Sequence, residues 1–297
     1  MQNSFKSGFA AIIGMPNVGK STLLNMIAGQ KIAIVSDKPQ TTRNKILAIY
    51  NDPDCQIIFT DTPGIHKPHN KLGEFMVKVA GESMEDVDTV LFMTDACRKS
   101  TDFEREAVKK LKKSGIPVIL IINKSDAIKK EELLPVISEY SGLCDFEAVV
   151  PLSAKTGEGV DILLSEIKKI LPEGPRFYDD EDIVTDQQEK QIAAEIIREK
   201  MLRLLDKEVP HGIAVEIEKM QELENITKIF ATIHCEKASH KGIIIGKNGE
   251  MLKKIGRYAR EDIEEMLDKK VYLELWVKVS DDWRNSDTMI KSFGFDS

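Results

Sequence analysis

A glycine-bearing motif near the amino terminus constrains the fold of this chain more than any other feature. It consists of Gly14, Met15, Pro16, Asn17, Val18, Gly19, Lys20 and Ser21, and Thr22 follows it. An apolar run at residues 9–13 predicts a buried strand before the motif, and residues 20–28 predict a helix after it. In that order, backbone N–H groups at the turn and at the helix start point toward an anion. The motif therefore predicts a phosphate-binding loop, in which Lys20 reaches the phosphates and the Ser21 hydroxyl binds Mg²⁺.

Apolar runs and helical patterns alternate along residues 1–171. We predict strands at residues 9–13, 46–50, 55–60, 90–94, 118–122 and 148–152, and helices at residues 20–28, 72–84, 102–114, 131–140 and 160–170. The strand runs are apolar throughout, which is typical of strands that helices cover on both faces. We therefore expect a doubly wound α/β sheet, whose ligands bind at the carboxyl ends of the strands.

A second motif follows the strand predicted at residues 55–60. It consists of Asp61, Thr62, Pro63 and Gly64. A carboxylate at that strand end can hold Mg²⁺, usually through water, and the Gly64 N–H can approach a γ-phosphate. The alternative is a plain turn that binds nothing. Its position after a phosphate-binding loop favours the functional interpretation.

Two further motifs follow the strands predicted at residues 118–122 and 148–152. They are Asn123-Lys124-Ser125-Asp126 and Ser153-Ala154-Lys155. The Asp126 carboxylate can accept hydrogen bonds from N1–H and N2–H₂ of guanine, whereas adenine would leave this charge unpaired. Asn123 can support the loop and the N7 edge, the Lys124 stem can cover the base plane, and the Ala154 N–H can reach guanine O6. Together with the first two motifs, these loops predict a GTP-binding domain.

Two loops are expected to respond to the nucleotide. The first, residues 33–43, ends in Gln40, Thr41, Thr42 and Arg43, and a threonine here commonly completes the Mg²⁺ shell when GTP is bound. Thr41 and Thr42 both qualify. In the second loop, residues 62–70, Ile65 stands where some GTPases carry a glutamine that orients the attacking water. We nevertheless predict that Ile65 lies among the residues that contact the phosphates. Because isoleucine has no polar group, the catalytic residue stays unassigned, and hydrolysis is expected to be slow or to use another group, a cation or a partner.

A second domain follows a stretch rich in proline and acidic residues. Residues 172–186 predict an interdomain linker. Beyond it, we predict a helix at residues 187–206, strands at residues 213–217 and 229–235, a helix at residues 250–267 and a strand at residues 271–277. A further short helix leads into the turn Gly246-Lys247-Asn248-Gly249. The order α-β-β-α-α-β, with G-x-x-G between two helices, resembles a KH domain of the second topological type, a small α+β fold.

Residues 241–260 carry a local positive charge. This segment contains one acidic residue, Glu250, and six cations, namely Lys241, Lys247, Lys253, Lys254, Arg257 and Arg260. Six minus one gives a local charge of +5 in a chain whose net charge is −7. In KH domains the glycine turn clamps the backbone of about four nucleotides. We predict that single-stranded RNA binds through Lys241, Gly246, Lys247, Asn248, Gly249, Lys253, Lys254 and Arg257. The alternative is a solvated helix face beside a plain glycine turn.

The chain as a whole resembles the Era-like proteins, a family of bacterial ribosome-assembly GTPases. The resemblance rests on Gly14-x-Pro16-Asn17-x-Gly19-Lys20-Ser21, Gln40-Thr41-Thr42-Arg43, Asp61-Thr62-Pro63-Gly64, Asn123-Lys124-Ser125-Asp126 and Glu195-Ile196-Ile197-Arg198-Glu199-Lys200. It implies a P-loop GTPase domain at residues 1–171 and a type II KH domain with a C-terminal tail at residues 187–297. It implies hydrolysis of GTP to GDP and phosphate, and it favours Thr42 beside Ser21 and Asp61 as ligands of Mg²⁺. Asn17 matches a P-loop asparagine that helps some relatives to hold K⁺.

The same resemblance implies partners. Era-like proteins bind the 3′ end of 16S ribosomal RNA through the KH domain, assist maturation of the 30S subunit, and can associate peripherally with the inner membrane. The net charge of −7 argues against a uniformly basic nucleic-acid coat, and the apolar runs are too short to span a bilayer. We expect a cytoplasmic monomer. Two alternatives stay open: a GTPase that acts on another RNA, such as a tRNA-modifying GTPase, and a KH module whose nucleotide site is mainly structural.

Overall fold

The computed structural model describes residues 4–36, 38, 41–61, 63–64, 70–82 and 86–295. The backbone divides into two compact units. The first comprises Met1–Ile32, Thr42–His66 and Val77–Asp186, and the second comprises Ala33–Thr41, Lys67–Met76 and Gln187–Ser297. Two segments that precede residue 187 in the sequence, 33–41 and 67–76, thus belong by packing to the second unit.

The first unit is built on a mixed sheet. Its strands are β1 (Lys6–Gly14), β2 (Ile46–Asn51), β3 (Cys55–Asp61), β4 (Thr89–Asp95), β5 (Val118–Asn123) and β6 (Ala148–Pro151). They lie in the order β2-β3-β1-β4-β5-β6. All neighbouring pairs are parallel except β2 and β3. Every residue of β3, β4 and β5 is buried, as expected for apolar strands that other elements cover on both faces.

Helices alternate with these strands, which confirms the predicted α/β fold. They are α1 (Lys20–Ala28), α2 (Lys71–Glu82), α3 (Asp102–Ser114), α4 (Lys130–Ser141) and α5 (Val160–Ile170). The predicted helix at residues 72–84 corresponds to α2, which begins one residue earlier, and residues 83 and 84 lie outside the described residues. Because β1, β3, β5 and β6 run parallel, their carboxyl ends meet at one edge of the sheet, and the four predicted motifs follow those ends.

Residues 172–186, predicted as an interdomain linker, are fastened to the first unit. The buried Gln56 side chain donates to the Tyr178 carbonyl at 2.9 Å and accepts from the Phe177 N–H at 2.7 Å. Further along, the Ile49 N–H donates to the Val184 carbonyl at 2.9 Å. The composition of this segment suggests solvation, but a polar side chain buried in β3 supplies the partners that hold it in place.

The second unit has the predicted element order. It contains α6 (Glu189–Leu204), β7 (Ile213–Glu222), β8 (Thr227–Cys235), α7 (Ala238–Ile245), α8 (Glu250–Leu267), β9 (Val271–Val279) and α9 (Asp287–Ser292). The sheet order is β7-β8-β9, with β7 antiparallel and β9 parallel to β8. Apolar residues of the helices and the sheet, such as Ile196, Ile233 and Ile263, form one core.

The carboxyl-terminal residues form a structured cluster that the sequence had suggested only as a tail. Trp283 is fully buried, and its Nε1–H donates to the Gly212 carbonyl at 3.0 Å. Leu72 and Met76, from the part of α2 that belongs to this unit, pack in the same apolar cluster with Phe295. Within the described residues, no helix is both long and apolar enough to cross a membrane.

Candidate functional site

The glycine-bearing motif forms a tight loop between β1 and α1. Gly19 has a φ of +106°, and a Cβ at this position would lie 2.1 Å from the Asn123 Nδ2, so only glycine fits. The Lys20 side chain is buried and its Nζ donates to the carbonyls of Gly14 at 3.1 Å and Met15 at 3.2 Å. Burial lowers the pKa of Lys20, although the nearby charge of Asp61 opposes the shift. The loop therefore holds a buried amine of the kind that can meet a phosphate chain.

Three predicted metal ligands converge at the start of α1. The Ser21 hydroxyl donates to Asp61 Oδ2 at 2.8 Å and lies 2.9 Å from the Thr42 hydroxyl. The Thr42 hydroxyl also donates to Asp61 Oδ2, at 3.3 Å. Thr41 instead donates to the Lys38 carbonyl at 2.6 Å. Of the two threonines that the residues alone left open, Thr42 is thus the one that lies with Ser21 and Asp61, and their hard oxygens suit Mg²⁺.

The remaining predicted phosphate contacts lie around this cluster or outside the described residues. A Cβ at Gly64 would lie 2.9 Å from the Pro16 backbone nitrogen, so the end of the second motif contacts the first. Pro63 and Arg43 are buried, Asn17 adopts a positive φ of 66°, and Thr22 lies in α1. Gln40, Thr62 and Ile65 fall outside the residues that the structure describes.

Asn123 ties three loops together. Its Nδ2–H donates to the Val18 carbonyl at 2.7 Å, and its Oδ1 accepts the Ala154 N–H at 2.9 Å. The side chain is almost fully buried. The sequence suggested that Ala154 N–H reaches guanine O6, but the structure commits this N–H to Asn123, so a guanine oxygen would have to share or displace that bond. Asn123 therefore fixes the spacing of the loops before any base binds.

Lys124 and Asp126 follow on the same turn. Lys124 adopts a left-handed φ of 65°, and its Nζ lies 2.7 Å from Asp95 Oδ2 at the end of β4. Although burial opposes the shift, the hydrogen bond from Lys124 lowers the pKa of Asp95. Sequence reasoning missed Asp95, although its position at the carboxyl end of a parallel strand was a usable signal. This ion pair steers the lysine stem and leaves Asp126 exposed beside it.

Ser153 and Lys155 complete the base-side loops. Ser153 is fully buried and its hydroxyl accepts the Thr156 N–H at 3.2 Å, which closes the turn after β6. Lys155 is exposed. The exposed Asp126 thus follows Asn123, whose hydrogen bond to the Ala154 N–H joins its loop to the turn after β6, an arrangement that can hold a flat polar ligand edge-on.

The second candidate site is the glycine turn of the second unit. Gly246, Asn248 and Gly249 have φ values of 72°, 54° and 78°. A Cβ at Gly246 would lie 2.7 Å from Met251 Cβ, whereas nothing lies within 4 Å of one at Gly249. Lys247 and Asn248 are exposed at the tip, and Lys241 lies on α7. The turn therefore presents an open, cationic backbone loop.

A groove of about 520 Å³ runs from this turn between α8 and β9. Leu252, Leu273 and Leu275 supply apolar walls, and Lys253, Arg257 and Arg260 supply charge. Of the predicted RNA-binding cations, Lys253 and Arg257 line the groove, whereas Lys241, Lys247 and Lys254 are not among the described residues that line it. Sequence reasoning missed the β9 wall because an alternating strand does not reveal which neighbour leaves its edge open.

Known protein families match both parts of the chain. Residues 9–124 match the protein family described as "50S ribosome-binding GTPase", and residues 208–284 match the family described as "KH domain". A protein named GTPase Era from Ruminiclostridium cellulolyticum is 56% identical over 293 residues, which cover 98% of each chain. GTPase Era from Clostridioides difficile is 51% identical over 294 residues, which cover 98% of this chain and 99% of that protein.

Solved structures of Era proteins also match nearly the whole chain. The crystal structure of an Aquifex aeolicus Era variant bound to GDP·AlF₄⁻ matches with a TM-score of 0.94 and 41% identity, over 99% of this chain and 100% of that one. A crystal structure of Era in complex with MgGDPNP and nucleotides 1506–1542 of 16S ribosomal RNA matches with a TM-score of 0.94 and 42% identity over the same shares. A P-loop, a guanine-type loop set and a G-x-x-G groove in one chain, with relatives that match end to end, place this protein in the Era family of GTPases.

Proposed function

We propose that this protein is a GTP-hydrolysing switch that binds the 3′ end of 16S ribosomal RNA and assists maturation of the 30S subunit. The observation that carries the proposal is the convergence of Ser21, Thr42 and Asp61 at the start of α1. This oxygen cluster lies at the sheet edge where Asn123 joins the P-loop to the loop after β6. The RNA partner is the one named for the relative that was solved with MgGDPNP and 16S ribosomal RNA.

In this proposal the first unit binds GTP together with Mg²⁺. Lys20 and the N–H groups of its loop face the phosphates, and Ser21 and Thr42 hold the ion, with Asp61 acting beside them. Bound Mg²⁺ would neutralise charge on the phosphate oxygens. Asp126, which is exposed on its turn, accepts the guanine N1–H and N2–H₂. The Lys124 stem covers the base, held in place by Asp95.

Hydrolysis needs a group that Ile65 cannot supply. We therefore expect slow turnover by the protein alone, with a cation or a partner as activator. Asn17, the predicted K⁺-associated residue, adopts a positive φ of 66° in the P-loop. Equal GTP turnover in sodium and potassium buffers would exclude a role for K⁺.

The second unit supplies the RNA clamp. Single-stranded RNA lays its phosphates along Lys253, Arg257 and Arg260 while its bases enter the apolar part of the groove between α8 and β9. The glycine turn would clamp the backbone at the end of this groove. With a ribosomal partner, we expect the protein to act in the cytoplasm, and peripheral membrane contact stays an expectation from the family resemblance.

The nucleotide state is proposed to reach the second unit through the segment at residues 33–41. The Val35 N–H donates to Glu199 Oε1 at 3.0 Å, and Arg198 donates to the Thr41 carbonyl. Thr41 is joined by a peptide bond to Thr42, whose hydroxyl belongs to the oxygen cluster with Ser21 and Asp61. Glu199 and Arg198 are buried in α6. A change in the position of Thr42 would therefore shift the hydrogen-bond partners of these two side chains.

A binding experiment tests the proposal as a whole. A fluorescent oligonucleotide with the 3′-terminal sequence of 16S ribosomal RNA would be titrated with the full chain carrying GDP or GDPNP. We expect tighter binding in one nucleotide state and loss of binding in Gly249→Asp. That position has open space around an added Cβ, and aspartate is one of the few residues that occasionally adopt such a positive φ, so the variant adds a negative charge without a steric clash.

The outcomes separate the parts of the proposal. Tight binding that ignores the nucleotide would keep both sites and remove the switch. Absence of binding by the wild-type protein in both states would refute the ribosomal RNA partner.

A further inference from the structure

Gly256 occupies an unexpected place in the middle of α8. A glycine inside a helix lowers stability by roughly 0.5–1 kcal/mol relative to alanine. A glycine at this position therefore needs an explanation in its surroundings. Unlike Gly246 and Gly249, it has no positive φ. Backbone conformation therefore does not require glycine here.

Packing does not require it either. A Cβ on Gly256 would find Leu275 Cδ1 at 3.4 Å as its nearest neighbour, which is an ordinary van der Waals contact with a flexible side chain. The stripe of α8 that packs into the core consists of Ile255, Ala259 and Ile263, all fully buried. Gly256 lies beside this stripe, at the margin where the helix leaves the sheet.

The space that Gly256 leaves open belongs to the groove between α8 and β9. Leu252, Gly256 and Arg260 follow one another at four-residue spacing and so line one side of the helix toward the groove. Leu275 faces them from β9. A methyl group on residue 256 would enter this groove and contact Leu275.

We propose that Gly256 is a specificity-determining position that keeps this groove open for one nucleobase of the bound RNA. The inference rests on the proposed RNA-binding function and adds to it the place where a base sits. Leu252 and Leu275 contact the faces or edge of that base, while Lys253 and Arg257 hold the adjacent phosphates. Any side chain at position 256 displaces the base and leaves the phosphate contacts in place.

The test uses Gly256→Ala and Gly256→Leu in the full-length protein, because both residues favour helix. We expect Gly256→Ala to raise the melting temperature of the second unit by about 2–4 °C. We expect it also to weaken binding of the 16S 3′-end oligonucleotide by about twofold or more. Gly256→Leu places a larger side chain in the groove and should weaken binding more than Gly256→Ala does. Gain of stability with loss of affinity is the signature, since a structural role would lower both.

Salt dependence gives a second readout. For the glycine variants, we expect the slope of log K against log salt to match the wild type, because no phosphate contact is lost. Lys253→Ala, at a phosphate-facing position in the same groove, should reduce that slope by about one. Gly81→Ala, in α2 of the first unit and with no atom near the added Cβ, is the matched helical control and should bind RNA as the wild type does.

Each outcome decides between the interpretations. Wild-type affinity in Gly256→Leu, or a lower melting temperature in Gly256→Ala, would overturn the role of Gly256. If Gly256→Leu does not fold, the alanine variant carries the test by itself. Failure of the wild-type protein to bind the oligonucleotide would refute the proposed RNA partner, which the glycine variants do not address.

Discussion

Replacing Asn123 by alanine separates the two roles of the guanine-type loop, namely holding loops together and binding a base. The variant removes the partners of two backbone groups, the Val18 carbonyl and the Ala154 N–H. Both residues are only 1% exposed, so water replaces the lost bonds poorly. Each unsatisfied buried group costs about 1–3 kcal/mol, so the nucleotide-free protein should lose about 2–6 kcal/mol of unfolding free energy. That is a large fraction of the roughly 5–15 kcal/mol that stabilises a domain.

Asp126→Ala is the matched control. Asp126 lies three residues further along the same loop, is exposed, and accepts no hydrogen bond from the part of the chain that the structure describes. Its removal should change the unfolding free energy by no more than about 0.5 kcal/mol. Both variants should lose GTP binding, but only Asn123→Ala should lose stability without nucleotide.

Urea unfolding followed by circular dichroism measures both variants. Trp276 and Trp283, the tryptophans of the chain, lie in the second unit, so their fluorescence provides an internal reference that neither substitution should move. If nucleotide-free Asn123→Ala unfolds at the same urea concentration as the wild type, the argument that Asn123 organises the loops is refuted.

Three further predictions follow from buried charges. Lys20→Met should weaken GTP binding by about 2–5 kcal/mol. It should lower the stability of the nucleotide-free protein much less, because relief of the buried ammonium offsets the loss of its bonds to the Gly14 and Met15 carbonyls; calorimetry and urea unfolding measure the two quantities. Glu199→Ala should lower the unfolding free energy of the second unit, followed by tryptophan fluorescence, by about 3 kcal/mol or more. Glu199→Gln keeps an acceptor for the Val35 N–H and should cost less, and equal losses would contradict this reasoning. Burial lowers the pKa of His234 below 6.5, although Glu216 opposes the shift. The unfolded state therefore binds the proton first, and the stability of the folded protein falls as the pH drops through 6.5. Unfolding free energies measured at pH 5.5 and 7.5 should differ less in His234→Gln than in the wild type, and an equal difference would assign the pH dependence to another group.

Sequence reasoning reached the elements whose signal is local. The largely apolar runs of β3, β4 and β5 and the motifs at the strand ends predicted the sheet and the loops that meet at its edge. The G-x-x-G turn and the element order around it likewise predicted the second unit. These features depend on periodicity and on short motifs, which neighbouring residues determine.

Sequence reasoning could not predict features that depend on contacts between residues far apart in the chain. Asp95 shows its role only through the ammonium of Lys124 from the next strand. Gln56 reads as a polar residue in a strand, and only the structure reveals that it holds residues 177 and 178. The burial of Trp283 depends on Gly212, which lies 71 positions earlier. Each case requires contact between segments whose pairing no local pattern encodes.

The proposed coupling between the two sites depends on how the chain is divided between the two units. The segment at residues 33–41 packs with the second unit, whereas Thr42, one peptide bond later, belongs to the first. A ligand that fixes the Thr42 hydroxyl beside Ser21 therefore restrains Thr41, whose carbonyl accepts from Arg198 on α6. Coupling free energy is reciprocal between two binding events. If GTP changes the RNA affinity of the groove between α8 and β9 by some factor, RNA must change the affinity for GTP by the same factor. A mismatch between the two factors would show that one titration was not at equilibrium, as when GTP is hydrolysed during the measurement.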